Sequence, residues 1–358
     1  MSRLIRAIID THALRSNLET VRQRAPGTHV MAVVKANAYG HGLVPTALAL
    51  ADADAFAVAR LEEGLALRAA GVDQPIVLLE GVLTREQLLE AARHGFDLVV
   101  HDPLQVELLE GFSNSHRFVL WVKIDTGMNR LGFRPGDFPQ AFERLQKLRP
   151  APLEIRLMTH LARADAADGT MTRQQIARFV NLTRHLVCAT SISNSAALLI
   201  GAGIQCEWVR PGLALYGVSP FADRTGTDFN LQPVMTLEAS VIATRRVPQG
   251  ETVGYDGIWK AERDSTIAIV TAGYGDGLPR NLPNGTPVLI AGRRAPLVGR
   301  VSMDMIAVDV TDLPPVHVGM PVTLWGRDLP VEEIARHAGT IPYELLCGVS
   351  QRVPHELR

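Results

Sequence analysis

The first two thirds of the chain alternate short apolar runs with longer amphipathic stretches. Eight runs rich in β-forming residues occupy positions 29–35, 55–59, 74–80, 97–101, 118–125, 154–160, 190–195 and 206–215. The stretches between them, such as 61–70, 85–94 and 173–186, repeat Leu, Ala and Ile at helical spacing. Eight successive strand–helix units predict a parallel (β/α)₈ barrel, with an open doubly wound sheet as the alternative.

The pattern changes after Gly217. The segments VMTLEASVIATRRV, STIAIVTAG, TPVLIAG and MPVTLWG are short strand candidates, separated by turn sequences such as PQGE and LPNG. A single late helix is predicted near 331–338. The sequence therefore predicts an α/β chain with an N-terminal (β/α)₈ barrel domain over 1–228 and a C-terminal β-rich domain over 229–358.

Composition narrows the class of partner. The 358 residues carry a net charge of −1, and 47% of them are hydrophobic, so there is no basic surface for nucleic acid or for an anionic membrane. The first residues, MSRLIRAIIDTHALR, lack the apolar core of a secretory signal, and we expect a cytoplasmic protein that binds a small molecule. Three scattered cysteines and dispersed histidines predict buried reduced thiols and no metal site.

Polar residues that close barrel strands are candidates for the site, because active sites of such barrels lie at the C-terminal strand ends. Lys35 closes the first run, where poor solvation would lower its pKa as Schiff-base chemistry requires. For a lone lysine, the favoured explanation is a stem that lines the barrel mouth and a charge that reaches water. Other runs close at Lys123, at His160, at Asn194 and Ser195, and at Arg210.

A phosphate site is predicted after the seventh and eighth runs. Loops at these positions commonly bind phosphate through backbone N–H groups. Ser195, Gly212 and Leu213 are the natural contacts in this chain. A phosphorylated cofactor opposite a strand-terminal lysine points to pyridoxal phosphate.

At this point the motifs carry a family resemblance. VVKANAYGHG resembles the cofactor-lysine signature of the alanine racemases, which are fold type III pyridoxal phosphate enzymes. DTGMNRLG, THLARAD, NSAA, VRPGLALYG, VGYDG, GYGDG and GRVSMDM are each similar to a family segment and occur in the family's order. An ordered series is far more specific than any one of these motifs.

The resemblance implies the residues of the cofactor site. Lys35 matches the lysine that holds the cofactor as a Schiff base. Arg210 matches an arginine that faces the pyridine nitrogen and, being permanently charged, keeps that nitrogen unprotonated. A weakened electron sink favours return of the proton to Cα over transamination. The phosphate contacts implied are Tyr39, Ser195, Gly212, Leu213 and Tyr216.

The resemblance also implies two catalytic bases. Racemisation needs an acid and a base on opposite faces of Cα, and the family's pair falls on Lys35 for the D-substrate and Tyr255 for the L-substrate. His160 and Arg210 match residues that support the tyrosine. Because the family builds each site from two subunits, the likeness implies a homodimer.

Substrate contacts follow by the same resemblance. Arg130 matches a residue near the substrate carboxylate, oriented by Lys123, which is carbamylated in many members. The Met303 N–H matches the other carboxylate contact, with Asp304 beside it. Gln351, in CGVSQRVP, stands where some members carry a tyrosine that narrows the entrance. A smaller side chain there leaves substrate breadth open.

The implied function is interconversion of L- and D-alanine, which supplies D-alanine for peptidoglycan or degrades it. A racemase of broader specificity and a fold type III decarboxylase are the alternatives. Such decarboxylases place an acidic residue at the pyridine nitrogen, where this chain has Arg210. A non-catalytic cofactor carrier would lack the second domain, and a cofactor-free aldolase using Lys35 would be colourless.

Overall fold

The computed structural model describes residues 4–358. The chain divides into two compact units. The barrel unit comprises Arg15–Ala38 and Gly42–Leu215, and the β unit comprises Tyr39–His41, Tyr216–Arg358 and the start of the chain up to Leu14. The first elements are strand β1 (Ile5–Ile9) and helix α1 (Thr11–Arg24).

Eight parallel strands close the barrel, as the sequence predicts. They are β2 (His29–Val33), β3 (Ala55–Val58), β4 (Ile76–Leu78), β5 (Asp97–Val100), β6 (Val119–Lys123), β7 (Glu154–Met158), β8 (Thr190–Ser191) and β9 (Trp208–Val209). Pairing of β2 with β9, His29 opposite Trp208, completes the ring. Every residue of β3, β4 and β5 is buried, because side chains on both faces of a barrel strand are covered.

Helical segments follow the barrel strands, and the first of them is a left-handed turn rather than a right-handed α-helix. They are α2 (Lys35–Tyr39), α3 (Leu43–Ala49), α4 (Leu61–Ala69), α5 (Arg85–His94), α6 (Pro103–Glu110), α7 (Phe138–Gln146), α8 (Thr170–Thr183) and α9 (Ser195–Leu199). The Thr84 hydroxyl caps α5 by accepting the Gln87 N–H, and Gly95 ends that helix with a φ of 61°. Over residues 4–358, no helix has both the length and the apolar character needed to cross a bilayer.

The β unit is built on antiparallel pairing. Its further strands are β10 (Met235–Val247), β11 (Thr252–Val253), β12 (Trp259–Lys260), β13 (Ser265–Val270), β14 (Pro287–Ile290), β15 (Arg293–Val298), β16 (Ile306–Asp309), β17 (Pro321–Trp325) and β18 (His355–Leu357). Strands β10, β13, β16, β15, β14 and β17 form a closed ring, because β10 pairs with both β13 and β17. β1 pairs with β10, and β18 pairs in parallel with β1.

The structure corrects two details of the sequence prediction. Two late helices occur where one was predicted: α10 (Val331–Ala338) ends at Gly339, and α11 (Pro342–Gly348) starts again at a proline. The predicted helix coincides with α10, whose end is marked by the left-handed Gly339, and α11 is the helix that was not predicted. The cysteines form no disulfide, but they are not all buried: Cys206 is buried, whereas Cys188 is half-buried and Cys347 is exposed.

Candidate active site

Lys35 opens a turn of unusual backbone conformation. Directly after the apolar strand β2, residues 36–39 all have positive φ, between 52° and 55°. The turn is held by the hydrogen bond from the Ala38 N–H to the Val34 carbonyl, 2.8 Å, and by that from the Gly42 N–H to the Asn37 carbonyl, 3.0 Å. Each residue other than glycine pays roughly 1–2 kcal/mol in this conformation. Strained backbone of this kind concentrates at functional sites.

Glu63 fixes the peptide that follows Lys35. Its Oε1 accepts the Ala36 N–H at 2.7 Å, while its Oε2 accepts the N–H groups of Ala59 and Arg60 at 2.8 and 3.2 Å. Glu63 lies in the first turn of α4, where a carboxylate is favoured. Glu63 is not among the predicted site residues, although a glutamate at the third position of a helix is a recognisable capping signal.

Cations crowd the mouth of the barrel around Lys35. Burial, together with the charges of Arg210, Arg130 and Lys35, lowers the pKa of Lys123 to about 8. Burial together with the same cations lowers the pKa of His160 to about 2, so the imidazole is neutral at physiological pH. These shifts show that the structure brings five predicted site residues together: Lys35, Lys123, Arg130, His160 and Arg210.

The acidic group that acts on Lys123 is Asp125, and it is already engaged. Its Oδ1 accepts the N–H groups of Gly127 and Asn129 at 2.9 and 3.1 Å, and its Oδ2 lies 3.7 Å from Arg134. The cationic side chains at the mouth therefore exceed the carboxylates near them. This donor set suits an anionic ligand, and it fits a phosphorylated cofactor with a carboxylate substrate.

Arg210 is the buried member of this cluster. Only 5% of the residue is exposed, and its guanidinium donates to the Ser191 hydroxyl and the Thr159 carbonyl, both at 2.5 Å. Burial lowers its pKa to about 10, which leaves it charged at neutral pH. The barrel strands thus hold a fixed positive charge, and the two hydrogen bonds set the orientation of its guanidinium group.

Ser195 organises the loops after β8 and β9. It is buried at the start of α9, and its hydroxyl oxygen accepts the N–H groups of Gly212 and Ala214 at 2.9 and 3.2 Å. Leu213, fully buried, begins the 3₁₀ turn Leu213–Tyr216. The hydroxyl proton of Ser195 remains available for an acceptor. The structure brings three predicted phosphate contacts together, and their phosphate-binding role stays a prediction.

Tyr39 and Tyr216, the other predicted phosphate contacts, belong to the β unit and touch each other. Their ring centroids are 4.9 Å apart, and the ring of His41 stacks on Tyr216 at 4.5 Å. Burial raises the pKa of both phenols above its ordinary value. Both tyrosines therefore remain protonated and can donate a hydrogen bond.

Tyr255 lies on the turn between β11 and β12. Gly254 and Asp256 on either side have φ values of 76° and 62°, and 65% of the tyrosine is exposed. Lys35 lies in the barrel unit and Tyr255 in the β unit. That two subunits bring these groups into one site stays a prediction.

The Met303 N–H is oriented by its neighbours. The Tyr274 N–H donates to the Ser302 carbonyl at 3.0 Å, and the Gly275 N–H donates to the Met303 carbonyl at 2.8 Å. The N–H of a trans peptide points opposite its carbonyl, so the Met303 N–H faces away from the Tyr274 segment. Over residues 4–358 it has no acceptor, and Met303 is 53% exposed.

Two family models match successive parts of the chain. Residues 9–220 match the family model of the alanine racemase N-terminal domain, and residues 234–357 match that of the C-terminal domain. Alanine racemase of Shewanella woodyi is 47% identical over 97% of both chains. That of Nitrosococcus oceani is 49% identical over 98% of both.

Solved structures agree with the sequence matches. The biosynthetic alanine racemase of Pseudomonas aeruginosa superposes with a TM-score of 0.96 at 44% identity over all of both chains. The alanine racemase of Bartonella henselae, solved with covalently bound pyridoxal phosphate, superposes with a TM-score of 0.91 at 32% identity over all of both chains. The chain therefore belongs to the alanine racemase family.

Proposed function

We propose that the protein interconverts L- and D-alanine with pyridoxal phosphate, using Lys35 and Tyr255 of the partner subunit as the two bases. The observation that carries the proposal is a lysine on a strained left-handed turn, at a barrel mouth where cations exceed carboxylates. Family membership supports the same reaction.

The chain offers a complete set of residues for this cofactor. Lys35 would hold it covalently, and the bound cofactor would supply an electron sink that acidifies the substrate Cα–H. Arg210 supplies a fixed charge for the ring nitrogen, and because it remains a cation at neutral pH it keeps that nitrogen from taking a proton. The phosphate contacts are Tyr39, Ser195, Gly212, Leu213 and Tyr216.

Two groups move the Cα proton on opposite faces. With D-alanine, the Lys35 amine takes the Cα proton on one face and the Tyr255 hydroxyl gives a proton to the other face, which leaves an ammonium and a phenolate; with L-alanine, the phenolate takes the proton and the Lys35 ammonium gives one. A free tyrosine has a pKa near ~10, so the phenolate needs support, which His160 and Arg210 provide. Because His160 is neutral, it can relay a hydrogen bond between these groups without adding charge.

Two donors bind the substrate carboxylate. They are the Arg130 guanidinium and the outward Met303 N–H, and Asp304 lies next to the latter. Lys123 orients Arg130, and its lowered pKa of about 8 leaves a share of neutral amine at physiological pH. Neutral amine is the form that reacts with carbon dioxide, which supports carbamylation of Lys123.

The proposed assembly is a homodimer that supplies both bases to each site. In each subunit, the barrel domain covers residues 1–228 and the β-rich domain covers residues 229–358. The protein acts in the cytoplasm on a small molecule, without a metal ion, nucleic acid or membrane. Exposed Gln351 leaves room at the entrance, so amino acids somewhat larger than alanine are also substrates to test.

Chiral analysis of the holoenzyme with L-alanine tests the function directly. We expect D-alanine to accumulate to equal amounts, and borohydride to fix a pyridoxyl group on the Lys35 peptide. Lys35→Ala, the control, should neither racemise alanine nor take the label. Release of carbon dioxide without D-alanine would support the decarboxylase alternative, and a label on Lys123 would contradict the assignment of Lys35.

A further inference from the structure

Three segments of the β unit meet around the guanidinium of Arg352. Its Nε donates to Asp276 Oδ1 at 2.7 Å, and its Nη2 donates to Asp304 Oδ1 at 2.6 Å. The two carboxylates lie on different segments, one after β13 and one before β16. Arg352 itself precedes β18, so a single side chain connects all three.

Asp276 carries this connection into the backbone. It is 2% exposed, and its second oxygen accepts the Gly273 N–H at 2.8 Å. Its own carbonyl accepts the Ser350 N–H at 3.1 Å. The segment that bears Tyr274 is therefore tied to the segment that bears Arg352 by two independent hydrogen-bonded links.

The segments also pack without slack. A Cβ added to Gly273 would lie 2.4 Å from the Ser302 carbonyl oxygen, which belongs to the same peptide as the Met303 N–H, and 2.3 Å from the Met303 carbonyl oxygen. A Cβ at Gly277 would lie 2.2 Å from the Gly348 carbonyl oxygen. Backbone this close leaves the Met303 peptide little freedom to rotate.

Charge gives the arrangement a second consequence. Asp304 directly follows Met303, whose N–H would face the substrate carboxylate. An unpaired carboxylate at that position would repel an anionic ligand, whereas one bonded to a guanidinium has its charge cancelled nearby. Arg352 is thus placed both to hold the loop and to remove a repulsion from it.

We propose that Arg352 is a positioning residue for the substrate carboxylate, which orients the Met303 N–H and neutralises Asp304. It touches neither substrate nor cofactor and acts through these two residues. The inference rests on the proposed function, because it assigns Arg352 a part in binding the substrate of that site.

Propionate tests the inference, since it carries the carboxylate and methyl group of alanine without the amine. We measure its inhibition constant in the holoenzyme together with KM and kcat for both alanine enantiomers. In Arg352→Gln the inhibition constant and KM should rise about tenfold or more through restored like-charge repulsion and a freed loop, while kcat falls less. The cofactor absorbance should be unchanged.

A matched control separates this effect from loss of any surface ion pair. Arg263 pairs with Asp312 in the same unit at 2.5 Å, and its side chain is 57% exposed, compared with 48% for Arg352. Arg263→Gln should leave propionate inhibition unchanged. Equal effects of the two variants would overturn the proposal, as would a wild-type inhibition constant in Arg352→Gln.

Two more variants keep the test decisive. Adding Asp304→Asn to Arg352→Gln removes the repelling charge and should restore part of the propionate binding. No recovery would overturn the charge-cancelling role.

If Arg352→Gln does not fold, Arg352→Lys is the second test. One amine cannot bond both carboxylates in the arginine geometry, so we expect propionate to inhibit several-fold more weakly. A wild-type inhibition constant in this variant would contradict the inference. Racemisation by the unaltered enzyme, measured first, tests the proposed function separately.

Discussion

The barrel mouth and the loop that bears Met303 treat charge in opposite ways. Around Lys35, burial and the charges of neighbouring cations lower the pKa values of Lys123 and His160, and the nearby Asp125 is engaged elsewhere. In the loop, the Arg352 guanidinium bonds two carboxylates, so each charged group of this set already has a partner of opposite sign. Buried charge without a counter-ion is costly, so the mouth is built for an anion that arrives with the ligand, whereas the loop is complete by itself.

The two regions also differ in how the backbone is held. At the mouth, four consecutive residues have a strained left-handed backbone, and Glu63 holds the first of them by a hydrogen bond. The loop avoids strain by using glycines at its closest contacts. We expect variants of the mouth to alter cofactor chemistry, and variants of the β unit to alter substrate handling while the cofactor stays bound.

Tyr255→Phe should have the largest effect. The change removes only the titrating hydroxyl, and loss of a general acid/base group typically costs about 10²–10⁴-fold in rate. In deuterated solvent, exchange of the L-alanine Cα proton should fall by this amount, while exchange from D-alanine by Lys35 persists. Racemisation should collapse in both directions, and the cofactor spectrum should be unchanged.

Hybrid dimers supply the control for this variant. Mixing Tyr255→Phe with Lys35→Ala chains should restore some activity, because one site of each hybrid would carry both intact bases. Equal and modest slowing of the two exchange reactions would instead remove Tyr255 from the mechanism. Failure of the mixture despite proven subunit exchange would contradict shared sites.

Arg210→Lys should have an intermediate effect, confined to the mouth. Lysine keeps the charge but loses the fork that reaches Ser191 and Thr159, and hydrogen bonds to charged groups contribute about 1.5–3 kcal/mol. Racemisation should fall roughly 10- to 100-fold. A buried lysine, unlike arginine, can also give up its proton to the ring nitrogen, so pyruvate from transamination should rise per turnover. Arg156→Lys, an arginine of β7 stacked on Trp121 and Trp208, is the control. An unchanged ratio of pyruvate to racemised product would refute the role of Arg210.

Glu63→Gln should have the smallest effect. The amide keeps one acceptor but cannot serve Ala36, Ala59 and Arg60 together, and one lost hydrogen bond costs roughly 0.5–1.5 kcal/mol. We expect a decrease of kcat by a few-fold to tenfold with weaker cofactor retention. Exposed Glu62 on the same helical turn offers a matched control, Glu62→Gln. The same decrease in both variants would show that Lys35 does not depend on the Glu63 link.

The barrel is predictable from sequence because its strands are covered on both faces, which leaves unbroken apolar runs such as 55–59 and 98–100. The strands themselves are shorter than the runs, and β8 and β9 have only two residues each. The extra predicted residues lie on both sides of the strands: residues 74–75 precede β4, for example, and residues 159–160 follow β7. Period and apolarity locate a strand but do not show where its hydrogen bonding stops.

The site was predicted less evenly. Lys35, Lys123, His160 and Arg210 stand at strand ends, where barrel geometry draws attention to them. The left-handed turn gives almost no signal, because alanine and tyrosine rarely adopt positive φ. Arg352 was passed over beside Gln351, since its partners Asp276 and Asp304 lie 76 and 48 positions away. Contacts made by tertiary structure leave no local pattern.

The pairing of β1 has a consequence for synthesis of the chain on the ribosome. Ile9 pairs with Met235 of β10, and the Ala7 N–H donates to the Pro354 carbonyl, just before β18, at 3.0 Å. The barrel sequence is thus an insertion between two neighbouring strands of one sheet. At roughly 5–20 residues per second, the nascent β1 waits about 10–45 s for β10 to emerge, and longer for β18. Its isoleucines and free strand edges are meanwhile open to chaperones or to another nascent chain.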